Sequence, residues 1–122
     1  MRVLYVCGSF RFRRKMSELE GRLKEENIEF RMSKKIGSRG ILGCLEKIDE
    51  ADVVYVVNPD GYVGRSVCVD IGYAFAKGKP VYVMYPIDDP PVMNMVKGVL
   101  SFQELINFLK HSSHSKNERK SI

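Results

Sequence analysis

Asp70 is the residue whose surroundings most call for a chemical explanation. It falls in Val67-Cys68-Val69-Asp70-Ile71-Gly72-Tyr73-Ala74, a run with no other charge. An aspartate among apolar neighbours is rarely placed there for stability, because burying an unpaired charge is costly. Facing a pocket, Asp70 can serve as a nucleophile or a general base. Facing solvent, it is only a favourable charge near a helix N-terminus. The sequence leaves both readings open.

Two loops could bring a small anion to this carboxylate. The first is Gly8-Ser9-Phe10-Arg11, between an apolar run and a helix start. Gly8 allows a tight turn and a close approach of backbone to ligand. Free N–H groups at the helix start, with Ser9 and Arg11, would attract a phosphate. There is no G-x-G-x-x-G or P-loop lysine motif, and the plain alternative is a Ser9 cap beside a solvated Arg11. The second loop is Asn58-Pro59-Asp60-Gly61-Tyr62-Val63-Gly64-Arg65-Ser66. Asp60 lies just past a strand, where it either faces a pocket or forms an Asx turn. Ser66 stands four residues before Asp70, so the two project from one helix face.

Other chemistry is sparse. Cys7, Cys44 and Cys68 are odd in number, widely spaced and without a CxxC pair, which argues against a disulfide framework or a structural zinc site. Three buried free thiols are expected instead. His111 and His114 lie in a polar tail without a carboxylate or cysteine partner nearby in sequence, so no metal and no cofactor is expected. Met93 and Met95 are expected to cover an apolar surface or an interface.

The elements that must position these residues follow from periodicity. Residues 2–7 and 52–57 each become a continuous apolar run after the first residue, Arg2 or Asp52, the mark of strands buried on both faces. Phe12, Met16, Leu19 and Leu23 place one stripe on a helix over about 11–26. Further strands are expected at 28–32, 81–85 and 96–100, and further helices at 41–50, 65–77 and from 102. Gly78 suits a helix C-cap, and Ser101 with Glu104 has capping-box spacing. Strands alternating with helices predict a three-layer, flavodoxin- or Rossmann-like α/β fold of about five parallel strands. The expected order is 2-1-3-4-5, with helices on both faces. Ligands of such sheets bind beyond the carboxyl ends of strands 1 and 3, where both loops fall. One domain over residues 1–110 and a disordered basic tail over 111–122 complete the expected organisation.

The chain has 122 residues and a net charge of +5, of which the segment from Lys110 onward carries +3. What remains clusters at Arg11, Arg13, Arg14 and Lys15, and at Arg31, Lys34, Lys35 and Arg39. Two local clusters on a nearly balanced body suit a small anionic ligand better than a nucleic acid. No apolar run approaches the ~20 residues that span a bilayer. Val3 to Cys7 is too short for a signal-peptide core, and no small-residue cleavage site follows, so a cytoplasmic location is expected.

With both loops in view, the chain resembles the nucleoside 2-deoxyribosyltransferase superfamily, which includes the deoxynucleoside 5′-monophosphate N-glycosidases. The resemblance spans residues 3 to about 109. It rests on Leu4-Tyr5-Val6-Cys7-Gly8-Ser9-Phe10-Arg11, on Ala51 to Asn58, on Gly61 to Ala74 continuing to Gly78-Lys79-Pro80-Val81, and on Asn94-Met95. It implies cleavage of the N-glycosidic bond by a carboxylate nucleophile, a glutamate in the family and Asp70 here. Tyr5 would orient that carboxylate, and Asp60 would handle the base or the sugar hydroxyls. Ser9, Arg11 and Ser66 would hold a 5′-phosphate, with Gly8, Phe10, Asn58, Gly61 and Gly64 completing the substrate loops. Asn94 would reach a neighbouring subunit's site, which implies a homodimer or a larger even assembly. Aspartate is one methylene shorter than glutamate, so a non-catalytic nucleotide-binding module is the second implied function. A flavodoxin-like electron carrier fits poorly, because its flavin loop would be rich in Ser and Thr, whereas Gly8–Arg14 is basic and aromatic.

Overall fold

The computed structural model describes residues 2–33 and 40–121, with side chains described through residue 111. Lys34, Lys35 and Arg39 of the second basic cluster, and Gly37 of the polar connection, lie outside the described residues.

The first strand, β1 (Leu4–Gly8), shows how the layers arise. Side chains alternate across a strand. Leu4 and Val6 therefore enter one core, with Met16, Leu19 and Leu23 of α1 (Arg13–Glu25) and Leu105, Ile106 and Leu109 of α5 (Phe102–Ser121). Tyr5 and Cys7 enter the opposite core, with Ile48 of α2 (Ile41–Glu50) and Val67, Ile71 and Ala74 of α3 (Arg65–Ala76). The strand β3 (Val53–Val57) is fully buried and divides its side chains in the same way.

Among the described residues, five strands form one parallel sheet in the order β2-β1-β3-β4-β5, where β2 is Phe30–Met32, β4 is Val81–Val83 and β5 is Gly98–Val99. The three-layer α/β architecture and the strand order are those the sequence predicts. Helices α1 and α5 cover one face, and α2 and α3 the other.

Boundaries differ in instructive places. Strand β4 stops at Val83 rather than Tyr85, because the Asn58 side-chain amide takes over the backbone of Tyr85. A short helix, α4 (Pro90–Met93), stands where the sequence suggests a loop, capped by the Asp89 carboxylate on the Val92 N–H. The capping box of α5 forms both ways, with Ser101 Oγ accepting from Glu104 N and Glu104 Oε1 accepting from Ser101 N. The α5 backbone continues to Ser121, past the boundary near 110 that composition suggests. Cys7 is buried, but Cys44 and Cys68 are half-buried, which corrects the expectation of three buried thiols. No helix among the described residues is long and apolar enough to cross a membrane.

Candidate active site

A pocket of about 710 Å³ opens over the carboxyl end of β1, at the point where the sheet order reverses. Its α3 wall carries Gly64, Arg65, Ser66, Val67 and Asp70, and its α1 wall carries Arg13, Met16, Ser17 and Glu20. Gly8, Ser9 and Phe10 form the bridge between the walls, Met32 and Ser33 close the β2 side, and Ile41, Cys44 and Tyr62 complete the lining. Gly8 is required by packing, because a Cβ there would stand 2.7 Å from the Val57 carbonyl oxygen.

Asp70 faces this pocket and not the solvent, which settles the question left open by the sequence. It is 3% exposed and belongs to the inward face of α3. The Tyr5 hydroxyl, from the fully buried ring behind it, donates to Asp70 Oδ2 at 3.5 Å. Asp70 Oδ1 has no hydrogen-bond partner among the described residues. Burial disfavours the anion and pushes the Asp70 carboxyl up to about 7, although the Tyr5 hydroxyl and the Cys7 thiol pull it partly back. Burial also raises the Tyr5 phenol and the Cys7 thiol far above their ordinary ranges, so both stay protonated. A carboxylate that titrates near neutrality, in a pocket and with a fixed donor, is suited to nucleophilic or acid–base work.

The structure sorts the other expected site residues. Gly8, Ser9, Phe10, Gly64 and Ser66 line the pocket with Asp70. Tyr5 lies behind the carboxylate and not on the lining. Arg11 is not on the lining itself but stacks on the ring of Tyr62, which is, with its guanidinium carbon 4.0 Å from the ring centroid. The cations that do line the pocket are Arg13 and Arg65. Asp60 is exposed at a turn in left-handed conformation (φ 60°) and does not line the pocket. Gly61 follows it at φ 82°, where a Cβ would meet the Pro86 carbonyl oxygen at 2.5 Å, so its role is to let two loops pack. Asn94 is exposed at the end of α4, outside this chain's own pocket.

Asn58 proves to be architectural. It is fully buried, its Oδ1 accepts from the N–H groups of Met84 and Tyr85, and its Nδ2 donates to the Tyr85 carbonyl. These bonds pin the end of β3 to the segment after β4 and use three of the amide's four hydrogen-bonding positions.

Ser17, Glu20 and Cys44 had no place in the site as read from the sequence, and Arg13, Tyr62 and Arg65 entered it only as members of a basic cluster or of the second loop. A signal for the α1 group exists, since positions 13, 17 and 20 recur at helical spacing beside the Met16 and Leu19 core stripe. Among the described residues, no group of three or more His, Cys, Asp or Glu side chains is arranged to hold a metal ion.

A doubly wound parallel sheet with a buried pocket carboxylate at its switch point is the class of protein that this geometry defines. No family model matches the sequence, and no curated protein matches it. Solved structures do share the fold. A conserved protein from Enterococcus faecalis V583 is 18% identical over 92% of this chain and 99% of its own, with a TM-score of 0.73. A 2-deoxyribosyltransferase from Bacillus psychrosaccharolyticus is 16% identical over 86% and 90%, with a TM-score of 0.66. A CMP N-glycosidase from Clostridium botulinum is 14% identical over 88% and 98%, with a TM-score of 0.56. The chain thus shares with these proteins a doubly wound parallel α/β fold.

Proposed function

We propose that this chain is an N-glycosidase that releases the base from a deoxynucleoside 5′-monophosphate by hydrolysis. One observation carries the reading: Asp70 is buried in the pocket wall with one oxygen held by Tyr5 and the other unpaired. The fold it shares with a deoxyribosyltransferase and a CMP N-glycosidase supports the same class of chemistry.

In this scheme the Asp70 carboxylate attacks the anomeric carbon of the sugar. The bond to the base nitrogen breaks, its electron pair leaves with the base, and the base takes up a proton from water. Water then attacks the anomeric carbon of the resulting ester, freeing the sugar phosphate and regenerating the carboxylate. Tyr5 orients Asp70 and never touches substrate. Ser9 and Ser66, with Arg13 and Arg65, surround the phosphate at the start of α3, where backbone N–H groups favour an anion. Arg13 takes the part that the sequence suggests for Arg11. A transferase reaction would need a second base in place of water.

The test is incubation of the purified protein with a panel of deoxynucleosides and their 5′-monophosphates, following free base by chromatography. Release that disappears in Asp70→Ala establishes the glycosidase. Saturable binding without release would instead favour a nucleotide-binding module. That second reading draws on an aspartate one methylene short of the family's glutamate, about 1.5 Å of reach.

We further propose a homodimer or a larger even assembly in which Asn94, flanked by Met93 and Met95, reaches the neighbour's pocket. Support comes from the exposure of Asn94 and from Val69 and Phe75, which are 49% and 56% exposed on α3. Light scattering that gives a monomer mass would overturn it.

A further inference from the structure

We propose that Glu20 selects the base, and that the base it selects is guanine. This rests on the glycosidase reading only for the direction in which the nucleotide lies. About one turn of α3 separates Ser66 from Asp70, a rise of about 6 Å over four residues, which is close to the separation of a 5′-phosphate from its anomeric carbon. A nucleotide placed along α3 in this way has phosphate by Ser66 and Arg65, and sugar by Asp70. Its base leaves the sugar away from α3 and toward the opposite wall.

That wall is built by α1 and the end of β2. It offers Glu20 and the hydroxyls of Ser17 and Ser33, over an apolar floor of Met16 and Met32. The Glu20 side chain is 26% exposed, and its ion partner, Lys24, stands out in solvent at 3.6 Å from Glu20 Oε2 alone. Glu20 lines the cavity, and the exposed Lys24 contact on its Oε2 is weak enough to yield.

A carboxylate only accepts hydrogen bonds, and its two oxygens match a pair of adjacent N–H donors. Among the common bases, guanine presents such a pair, its ring N1–H beside its 2-amino group. Adenine and cytosine each set an acceptor nitrogen next to their amino group, which a carboxylate repels. Hypoxanthine keeps the ring N–H but lacks the 2-amino group. The pocket should thus rank dGMP above dIMP, and dIMP above dAMP and dCMP.

Titration calorimetry of the full chain with these four nucleotides tests the ranking, with base release followed in parallel. The expected result is dGMP binding about tenfold more tightly than dIMP, the discrimination typical of one added charge-assisted hydrogen bond. Glu20→Ala and the near-isosteric Glu20→Gln should both bring that ratio close to one. Because Glu20 lies on the surface of α1, circular dichroism of both variants should match the parent. Equal affinity for dGMP and dIMP, or a guanine preference that survives Glu20→Ala, would overturn the assignment. In that event, base release from other nucleotides would leave the glycosidase reading standing. Guanine-selective binding that Glu20→Ala abolishes, with no base released from any compound, would do the reverse.

Discussion

Tyr5 on β1 and Asp70 on α3, 65 residues apart in the chain, meet through one hydrogen bond of 3.5 Å in the wall of the pocket. Parallel pairing of β1 with β3, and the packing of α3 on the Tyr5 side of the sheet, create that meeting. At that length the bond lies at the weak end of hydrogen-bond geometry.

The proposed nucleophile must be ionised, and burial pushes Asp70 up to about 7. Base release should therefore increase through pH 7 and level off about a unit above it, as the proton leaves. Tyr5→Phe removes a donor that favours the anion, so the rising limb should move to higher pH. A rate at neutral pH lower by about tenfold, with KM nearly unchanged, is the expected size for one lost positioning hydrogen bond. The pH dependence of kcat/KM for both proteins checks this.

Stability should run the other way. Burial leads the folded protein to hold the Asp70 proton to about pH 7, whereas an unfolded chain releases it near 3.8. Asp70 therefore costs increasing stability between about pH 4 and pH 7, and a constant amount above. Asp70→Asn should abolish activity and yet be more stable than the parent at pH 8, by up to about 4 kcal/mol. Urea unfolding at pH 5 and pH 8 measures it, and an unchanged difference between the two pH values would contradict the assignment.

Asn58→Ala should destabilise without acting on substrate. It strips three hydrogen bonds from a fully buried amide and leaves the backbone of Tyr85 unpaired. A loss of about 3 kcal/mol is expected from such a site. Any variant protein that folds should keep its KM, and a raised KM with undiminished stability would show contact with ligand instead.

Arg13 and Arg11 should separate. Arg13→Ala removes a cation that lines the cavity, so KM for a 5′-monophosphate should increase by about tenfold, while the unphosphorylated nucleoside is unaffected. Arg11→Ala loses a stacking contact on Tyr62 and should weaken both compounds alike, by about threefold. Steady-state kinetics on the two substrates distinguishes them.

Much of this molecule was legible in the sequence because local rules decide it. The apolar runs at 3–7 and 53–57 had to be doubly buried strands, and their alternation with amphipathic helices fixed the parallel sheet and its order. The capping box at Ser101 and Glu104 needs only four consecutive residues, and it formed as expected. The loops Gly8–Arg14 and Asn58–Ser66 were singled out because a switch point always lies at strand ends, although only part of each lines the pocket. What the sequence could not decide was direction. Whether Asp70 faces pocket or water depends on the rotation of α3, which is set by packing Val67, Ile71 and Ala74 against the sheet. Arg11 and Arg13 are indistinguishable as residue types, and only the fold seats one over the Tyr62 ring and the other over the Phe10 ring on the pocket lining. Asn58 looked like a ligand group because a turn-forming amide beside a site invites that reading, but its partners lie 26 and 27 residues later. Contacts between distant segments exist only once the sheet has brought them together, and for that reason tertiary structure alone assigns these side chains.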